Sequence, residues 1–144
     1  SPPWPAECAQ PRAVLRRRTG DRLKFQPDHL EGVNAISRLE AGRLWVHQTS
    51  FQGSVIVPWR GEVMAWPARA ASELNAGHFD ALLELNPELV IFGSGDRIAF
   101  ISPQHYRALI ERRIGVETMD TAAACRTFNV LVHEGRKVVG ALIL

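Results

Sequence analysis

The chain has 144 residues, of which 46% are hydrophobic and 22% charged, the size and composition of one folded domain with a single core. No apolar run approaches the roughly 20 residues that cross a bilayer, which argues against a membrane span. Six of the 17 basic residues and two of the 15 acidic residues lie within residues 1–24, so the rest of the chain has 11 basic and 13 acidic residues, a net charge of −2. Because nucleic-acid-binding domains normally carry a basic face, this balance predicts no nucleic-acid partner.

Residues 1–23 are predicted to form a flexible, basic leader, and residues 24–144 a single globular domain. The leader contains four prolines and the cluster Arg16–Arg18, with no sustained apolar periodicity. It lacks the uninterrupted apolar core of a secretory signal. The two cysteines, Cys8 and Cys125, are too few for a disulfide framework and fit a reducing compartment, so a cytoplasmic location is expected.

The first half of the domain is predicted to be a meander of short strands, because runs of β-branched and aromatic residues alternate with glycine-containing turns. The predicted strands are Ala35–Leu39, Leu44–Gln48, Gly53–Pro58 and Glu62–Trp66. Trp45 and Trp66 are interpreted as core anchors. From Ser72 to Pro87 an apolar stripe predicts a helix, which the Asn86-Pro87 pair ends.

The second half is predicted to alternate strands with helices, which indicates a sheet with helices packed on it. Apolar runs predict the strands Leu89–Phe92, Val116–Met119 and Val138–Ile143. A helix over residues 103–113 is expected to begin with Ser102 as its N-cap, and a second helix to run from Asp120 to Glu134 with Gly135 as its C-cap. The predicted fold is therefore α/β, a mixed sheet with an N-terminal β meander.

The last helix, residues 120–134, separates its side chains into two groups. At 100° per residue, Cys125 falls on the apolar side, whereas Arg126, Asn129 and His133 share another side and are interpreted as a solvent-facing strip. Cys125 is interpreted as a small core residue, because a nucleophilic thiol needs a base and an accessible, electropositive setting. Either Asp120 or Thr121 is placed to cap the helix. The five histidines show no metal-binding spacing, so no metal is predicted.

A candidate ligand cleft is predicted where the Gly93-Ser94-Gly95 loop meets the turn at residues 119–121. If strands 89–92 and 116–119 run parallel, both connections leave the carboxyl edge of the sheet, where open α/β sheets usually bind ligands, and the N–H groups of the next helix favour an anion. The candidate residues are Gly93, Ser94, Gly95, Asp96, Arg97, Asp120, Thr121, Arg126 and Asn129. Each also has a structural interpretation, such as a turn hydroxyl or a helix cap. The lone G-x-G matches neither the dinucleotide-binding nor the P-loop pattern.

Several motifs, in their order along residues 24–144, resemble one protein family. They are LNPE at 85–88, IFGSG at 91–95, IGVETMDT at 114–121, AACRTFNVL at 123–131 and EGRKV at 134–138, with GSVIVP at 53–58 and Trp66 also fitting. It is a small domain-of-unknown-function family of bacteria, archaea and eukaryotes, and the chain resembles its bacterial branch. Eukaryotic members include a mitochondrial assembly factor for respiratory complex I (NADH:ubiquinone oxidoreductase) and an adipogenesis-associated protein. The resemblance implies a three-layer fold with a mixed central sheet flanked by helices, no cofactor and no established catalytic activity.

Two functions stay open. The resemblance, together with the lack of a recognisable catalytic set, favours a non-enzymatic binding or assembly protein. Its partner would be another protein of a membrane-bound complex, in the cytoplasm or, for the eukaryotic branch, in mitochondria. The alternative is a small-molecule or anion-binding protein, with enzymatic activity as one option, that uses the cleft between the Gly93-Ser94-Gly95 loop and the 119–121 turn.

Overall fold

A computed structural model describes residues 32–144, so the leader predicted at residues 1–23 lies outside the described residues. The described chain contains a three-stranded antiparallel sheet and a five-stranded mixed sheet, together with three α-helices. The predicted α/β class, with a mixed sheet and an N-terminal meander, is confirmed.

The meander consists of β1 (Ile36–Glu40), β2 (Arg43–Val46) and β3 (Thr49–Gln52), each antiparallel to the next. Strand β3 was not predicted, because the turn between β2 and β3 contains no glycine. His47 adopts the required positive φ of 55°, and its N–H donates to the Ala35 carbonyl at 2.9 Å. A contact outside the turn therefore supports a backbone conformation that hairpin turn chemistry alone does not predict.

The second sheet contains β4 (Val55–Pro58), β5 (Met64–Ala65), β6 (Leu89–Gly93), β7 (Gly115–Met119) and β8 (Val138–Leu142). The spatial order is β5-β4-β8-β6-β7, so β8 lies in the middle of the sheet. Strands β8, β6 and β7 are parallel, whereas β4 is antiparallel to both β5 and β8. The parallel strands β6 and β8 are covered on both faces, which explains their nearly continuous apolar sequences.

The α-helices are α1 (Ala76–Asp80), α2 (Arg107–Glu111) and α3 (Thr121–His133), and 3-10 turns cover Ala71–Glu73, Ala81–Leu85 and Pro103–Tyr106. The helix predicted from Ser72 is interrupted because the Asn75 side chain accepts hydrogen bonds from two N–H groups and starts α1 anew. Ser102 holds the predicted N-cap position, but its side chain makes no capping bond, and the segment that it precedes starts as the 3-10 turn Pro103–Tyr106. Among residues 32–144, none of the helices has the length and hydropathy that a membrane span requires.

Each face of the five-stranded sheet carries its own core. Along β8, Val138 contributes to one core and its neighbour Val139 to the other, as strand alternation requires. The first core contains Phe128 of α3 and the inward side chains of the meander, and the second contains Phe79 of α1 and Leu109 of α2. The fold therefore has three layers with the five-stranded sheet in the centre, as the family resemblance implied.

Of the two tryptophans predicted as core anchors, one is in the core. Trp66 is buried, with its ring edge-on to Phe79 and Phe92 at centroid distances of 5.9 and 6.1 Å. Trp45 follows the buried Leu44 along β2 and so lies on the opposite, outer face, where the Arg38 guanidinium stacks 4.5 Å from its ring centroid. The prediction for Trp45 was wrong because strand alternation, not side-chain size, decides the face.

Glu88 connects the starts of the three parallel strands. Its carboxylate accepts hydrogen bonds from the Lys137 N–H and the Arg136 Nε, both at 2.9 Å. Its backbone N–H donates to the Lys137 carbonyl at 2.9 Å, and its carbonyl accepts from the Gly115 N–H at 3.3 Å. The hydrogen bond from the Lys137 backbone, followed by the contact with the Arg136 guanidinium, holds the pKa of Glu88 below its ordinary value.

Glu88→Gln is expected to lower the free energy of unfolding at neutral pH but not in acid. Because the folded-state pKa is depressed, the stabilisation is complete above the ordinary value of 4.5 and is lost as the pH falls through the folded-state pKa. The carboxylate is partly exposed, so solvent screening limits the effect to less than about 1 kcal/mol. Urea denaturation at neutral and acidic pH measures it, with the exposed Glu84→Gln as the control. The same loss at both pH values would contradict this assignment.

Candidate functional site

The loop after β6 and the turn before α3 meet at the carboxyl edge of the sheet, as the sequence analysis predicted. Strands β6 and β7 are parallel and in register, with Gly93 beside Met119. The Ser94 N–H donates to the Met119 carbonyl and the Thr121 N–H donates to the Gly95 carbonyl, both at 2.9 Å. The loop and the turn are therefore hydrogen-bonded directly to each other.

The Thr121 hydroxyl joins a third segment to this edge. It accepts a hydrogen bond from the Gly95 N–H at 2.8 Å and donates one to the Ile143 carbonyl, also at 2.8 Å. The Ile143 N–H in turn donates to the Gly93 carbonyl at 2.9 Å. We call this arrangement of residues 93–95, 119–121 and 143 the carboxyl-edge junction. Thr121 is buried, and its hydroxyl bridges two backbone segments of the junction.

Two glycines allow the segments of the carboxyl-edge junction to approach so closely. A Cβ at Gly93 would lie 3.0 Å from the Cα of Thr121 and 3.0 Å from Leu142 Cδ2, closer than carbon atoms normally pack. Gly95 has a φ of 111°, a conformation that side-chain-bearing residues rarely adopt. At Gly93 the close approach is made by Thr121 of the protein itself.

The Ser94 hydroxyl shapes the loop that follows β6. Its Oγ accepts a hydrogen bond from the Ala99 N–H at 2.9 Å and donates one to the Arg97 carbonyl at 2.9 Å. The side chains of Asp96 and Arg97 are exposed, and neither forms an ion pair with another residue of the described chain. Ser94 is thus a turn hydroxyl, the structural interpretation that the sequence analysis gave for it.

Asp120 is the side-chain cap of α3. Its Oδ1 accepts a hydrogen bond from the Ala123 N–H at 2.8 Å, while the Thr121 hydroxyl is used in the carboxyl-edge junction. Of the two capping residues that the sequence left open, the structure therefore selects Asp120. This bond satisfies one of the N–H groups that a helix start leaves without an intrahelical partner.

Asp120→Ala is expected to lower the free energy of unfolding by about 1 kcal/mol, the usual cost of removing a capping side chain. Asp120→Asn is the matched control, because its side-chain oxygen still accepts from Ala123 and preserves most of the stability. Urea denaturation measures both variants. An Asp120→Ala variant as stable as the wild type would show that the cap contributes nothing.

Asn129 lies in the interior and not in a solvent-facing strip, so that prediction was wrong for this residue. Only 3% of its surface is exposed. Its Oδ1 accepts from the Ile36 N–H at 2.9 Å, and its Nδ2 donates to the Ile36 carbonyl at 2.8 Å. The amide thus pairs with β1 as a residue of a neighbouring strand would. A signal was present: Asn129 follows the buried Cys125 by four residues, which places it at the border of the apolar side.

Cys125 is buried in the core, as predicted. A thiol enclosed by apolar side chains is inaccessible to a substrate. Arg126 is half-buried on the adjacent side of α3, and the His133 Nδ1 lies 2.7 Å from the Asn129 carbonyl oxygen. Within residues 32–144, no group of three or more His, Cys, Asp or Glu residues is placed to hold a metal ion.

The carboxyl-edge junction and the cap of α3 already use four of the backbone donors that an anion site could use. An anion at a helix start is held by N–H groups that point toward the ligand. Here four such N–H groups, those of Ser94, Gly95, Thr121 and Ala123, bond to the protein's own oxygens. The arrangement therefore stabilises the edge of the sheet by backbone hydrogen bonding.

Known proteins are similar to this chain in sequence or in structure. The bovine and human proteins named NADH dehydrogenase (ubiquinone) 1 alpha subcomplex assembly factor 3 are each 40% identical over 140 residues, which cover 88% of this chain and 76% of theirs. A crystal structure of a Bordetella parapertussis protein matches with a TM-score of 0.74 and 34% identity, over 78% of this chain and 96% of that chain. Residues 36–143 match the family described as protein of unknown function DUF498/DUF598. The chain therefore belongs to the DUF498/DUF598 family.

Proposed function

We propose that this protein is a non-enzymatic assembly factor, which binds another protein during the assembly of a membrane-bound respiratory complex. The observation that carries the proposal is the 40% identity to bovine and human proteins named as NADH dehydrogenase assembly factors, over 76% of their length. Because the similarity extends over nearly the whole domain, rather than over one short motif, it favours the same role, binding through the protein surface, in this chain and in those relatives. The proposed location is the cytoplasm, or mitochondria for a eukaryotic member.

The use of polar groups at the carboxyl-edge junction supports the non-enzymatic part of the proposal. A general base or a nucleophile must reach the substrate. The hydroxyls of Ser94 and Thr121 each bond to at least two backbone groups, and the Cys125 thiol is enclosed in the core. The same bonds disfavour the alternative of an anion-binding cleft, because the N–H groups of Ser94, Gly95, Thr121 and Ala123 are already bonded to oxygen atoms of the protein.

Deletion of the gene in the source organism tests this proposal. We expect the assembled NADH:ubiquinone oxidoreductase to decrease on native gels stained for NADH oxidation, while its individual subunits are still synthesised. Wild-type protein and the Cys125→Ala variant should both restore the complex, because the thiol has no chemical role. Normal amounts of assembled complex in the deletion strain would reject the proposal.

A further inference from the structure

Exposed apolar side chains are concentrated in the crossover between β6 and β7. Among residues 32–144, the large hydrophobic side chains that are exposed are Met64, Ile98, Phe100, Ile110 and Val130, and three of these five belong to the crossover. Phe100 is the most exposed of them at 77%, and Ile98 is exposed by 51%. Solvent-facing aromatic side chains on a loop are typical anchors of protein interfaces.

The crossover presents these side chains from a well-defined loop. The Ser94 hydroxyl bonds to the backbone on both sides of Ile98, through the Arg97 carbonyl and the Ala99 N–H. The inner side of the crossover is filled by other residues, since Leu109 is fully buried and Tyr106 packs edge-on against Phe79 at 5.9 Å. Ile98 and Phe100 therefore face outward while other apolar residues complete the core.

The crossover is also positively charged. Residues 32–144 contain 11 basic and 11 acidic residues, a net charge of zero. Within residues 96–113 four arginines stand against two acidic residues, a net charge of +2, and all six side chains are exposed. None of these arginines, which are Arg97, Arg107, Arg112 and Arg113, forms an ion pair with a described residue. Charge complementarity therefore favours an acidic partner.

We propose that the exposed side of residues 96–113, the crossover surface, is a docking site for an acidic segment of a partner protein, with Phe100 inserted into an apolar pocket of that partner. This inference rests on the proposed function and specifies which surface of the assembly factor carries it. A second copy of the chain is a poorer occupant, because an isologous contact would place the same positive surface on both sides.

A random peptide library displayed on phage, with the full chain as bait, tests the docking site. We expect enriched peptides to combine aspartate or glutamate with a large apolar residue. Phe100→Ala should weaken the binding of a synthetic copy of such a peptide by about 30-fold, as measured by fluorescence anisotropy. Loss of an interface anchor typically has an effect of this size. Val130→Ala removes an exposed apolar side chain of α3 and should leave the affinity unchanged. Because both side chains are exposed, both variants should keep the wild-type melting temperature.

Several outcomes would overturn the docking site. No enrichment, enriched peptides without an acidic bias, or equal binding to Phe100→Ala and the wild type would each reject it. A chain that sediments as a dimer, and becomes a monomer on Phe100→Ala, would identify a second copy as the occupant. Peptide binding that appears only after deletion of residues 1–31 would identify that segment instead. The assay needs no respiratory complex, so its failure would concern the crossover surface alone, whereas the gene deletion concerns the proposed function.

Discussion

Asn129→Leu is expected to lower the free energy of unfolding by about 3 kcal/mol, because it leaves two buried backbone groups without a partner. The Asn129 amide accepts from the Ile36 N–H and donates to the Ile36 carbonyl, at 2.9 and 2.8 Å. Leucine has a similar volume, so packing changes contribute little. The loss of stability should therefore measure how strongly Asn129 attaches β1 to α3. Ile36 and Asn129 are 93 residues apart in the sequence.

Urea denaturation of the wild type and the variant measures this effect. Val130→Ala is the matched control on the same helix, since its side chain is exposed, and it should change the stability by less than about 0.5 kcal/mol. Asn129→Asp keeps an oxygen for the Ile36 N–H but places a carboxylate near the Ile36 carbonyl, so it should also destabilise. If Asn129→Leu were no less stable than Val130→Ala, the bridge to β1 would be energetically unimportant.

Thr121→Val is expected to lower the free energy of unfolding by about 2 kcal/mol, although valine has almost the same shape as threonine. The substitution removes the hydroxyl that accepts from the Gly95 N–H and donates to the Ile143 carbonyl. Both partners would lose a hydrogen bond at the carboxyl-edge junction. Exchange of the Gly95 amide hydrogen with solvent should become faster than in the wild type.

Thr127→Val is the control for this substitution. Thr127 is half-buried on the same helix, and its hydroxyl makes no hydrogen bond with a described residue, so loss of that hydroxyl should cost much less. Denaturation curves and amide exchange, measured on both variants, compare the two positions. Equal destabilisation by Thr127→Val and Thr121→Val would mean that the bridging hydroxyl has no special role.

The alternation of strands and helices in the second half was predictable because it depends on local patterns. Continuous apolar runs identified β6 and β8, and polar or glycine residues marked where they end. The meander was less predictable. The turn at His47 depends on a hydrogen bond to Ala35, and the outward position of Trp45 depends on which neighbours face the core. Such features are set by contacts that a local pattern does not contain.

The candidate site shows the same distinction. Because β6 and β7 were expected to be parallel, the glycine loop and the 119–121 turn were correctly predicted to lie at one edge of the sheet. The pattern could not indicate that the Thr121 hydroxyl reaches across to Gly95 and Ile143, because the latter contact requires β8 in the middle of the sheet. Asn129 likewise was assigned to solvent because β1, which covers it, is distant in sequence.

The polar residues at the end of β6 and the start of α3 therefore bond to the protein's own backbone, and the outer surface carries the function. A two-dimensional NMR titration with inorganic phosphate, simple carboxylates and nucleotides tests it most directly. We predict that the amide resonances of Ser94, Gly95, Thr121 and Ala123 stay in place at millimolar ligand. Saturable, concerted shifts of these four resonances would contradict the claim and restore the ligand cleft.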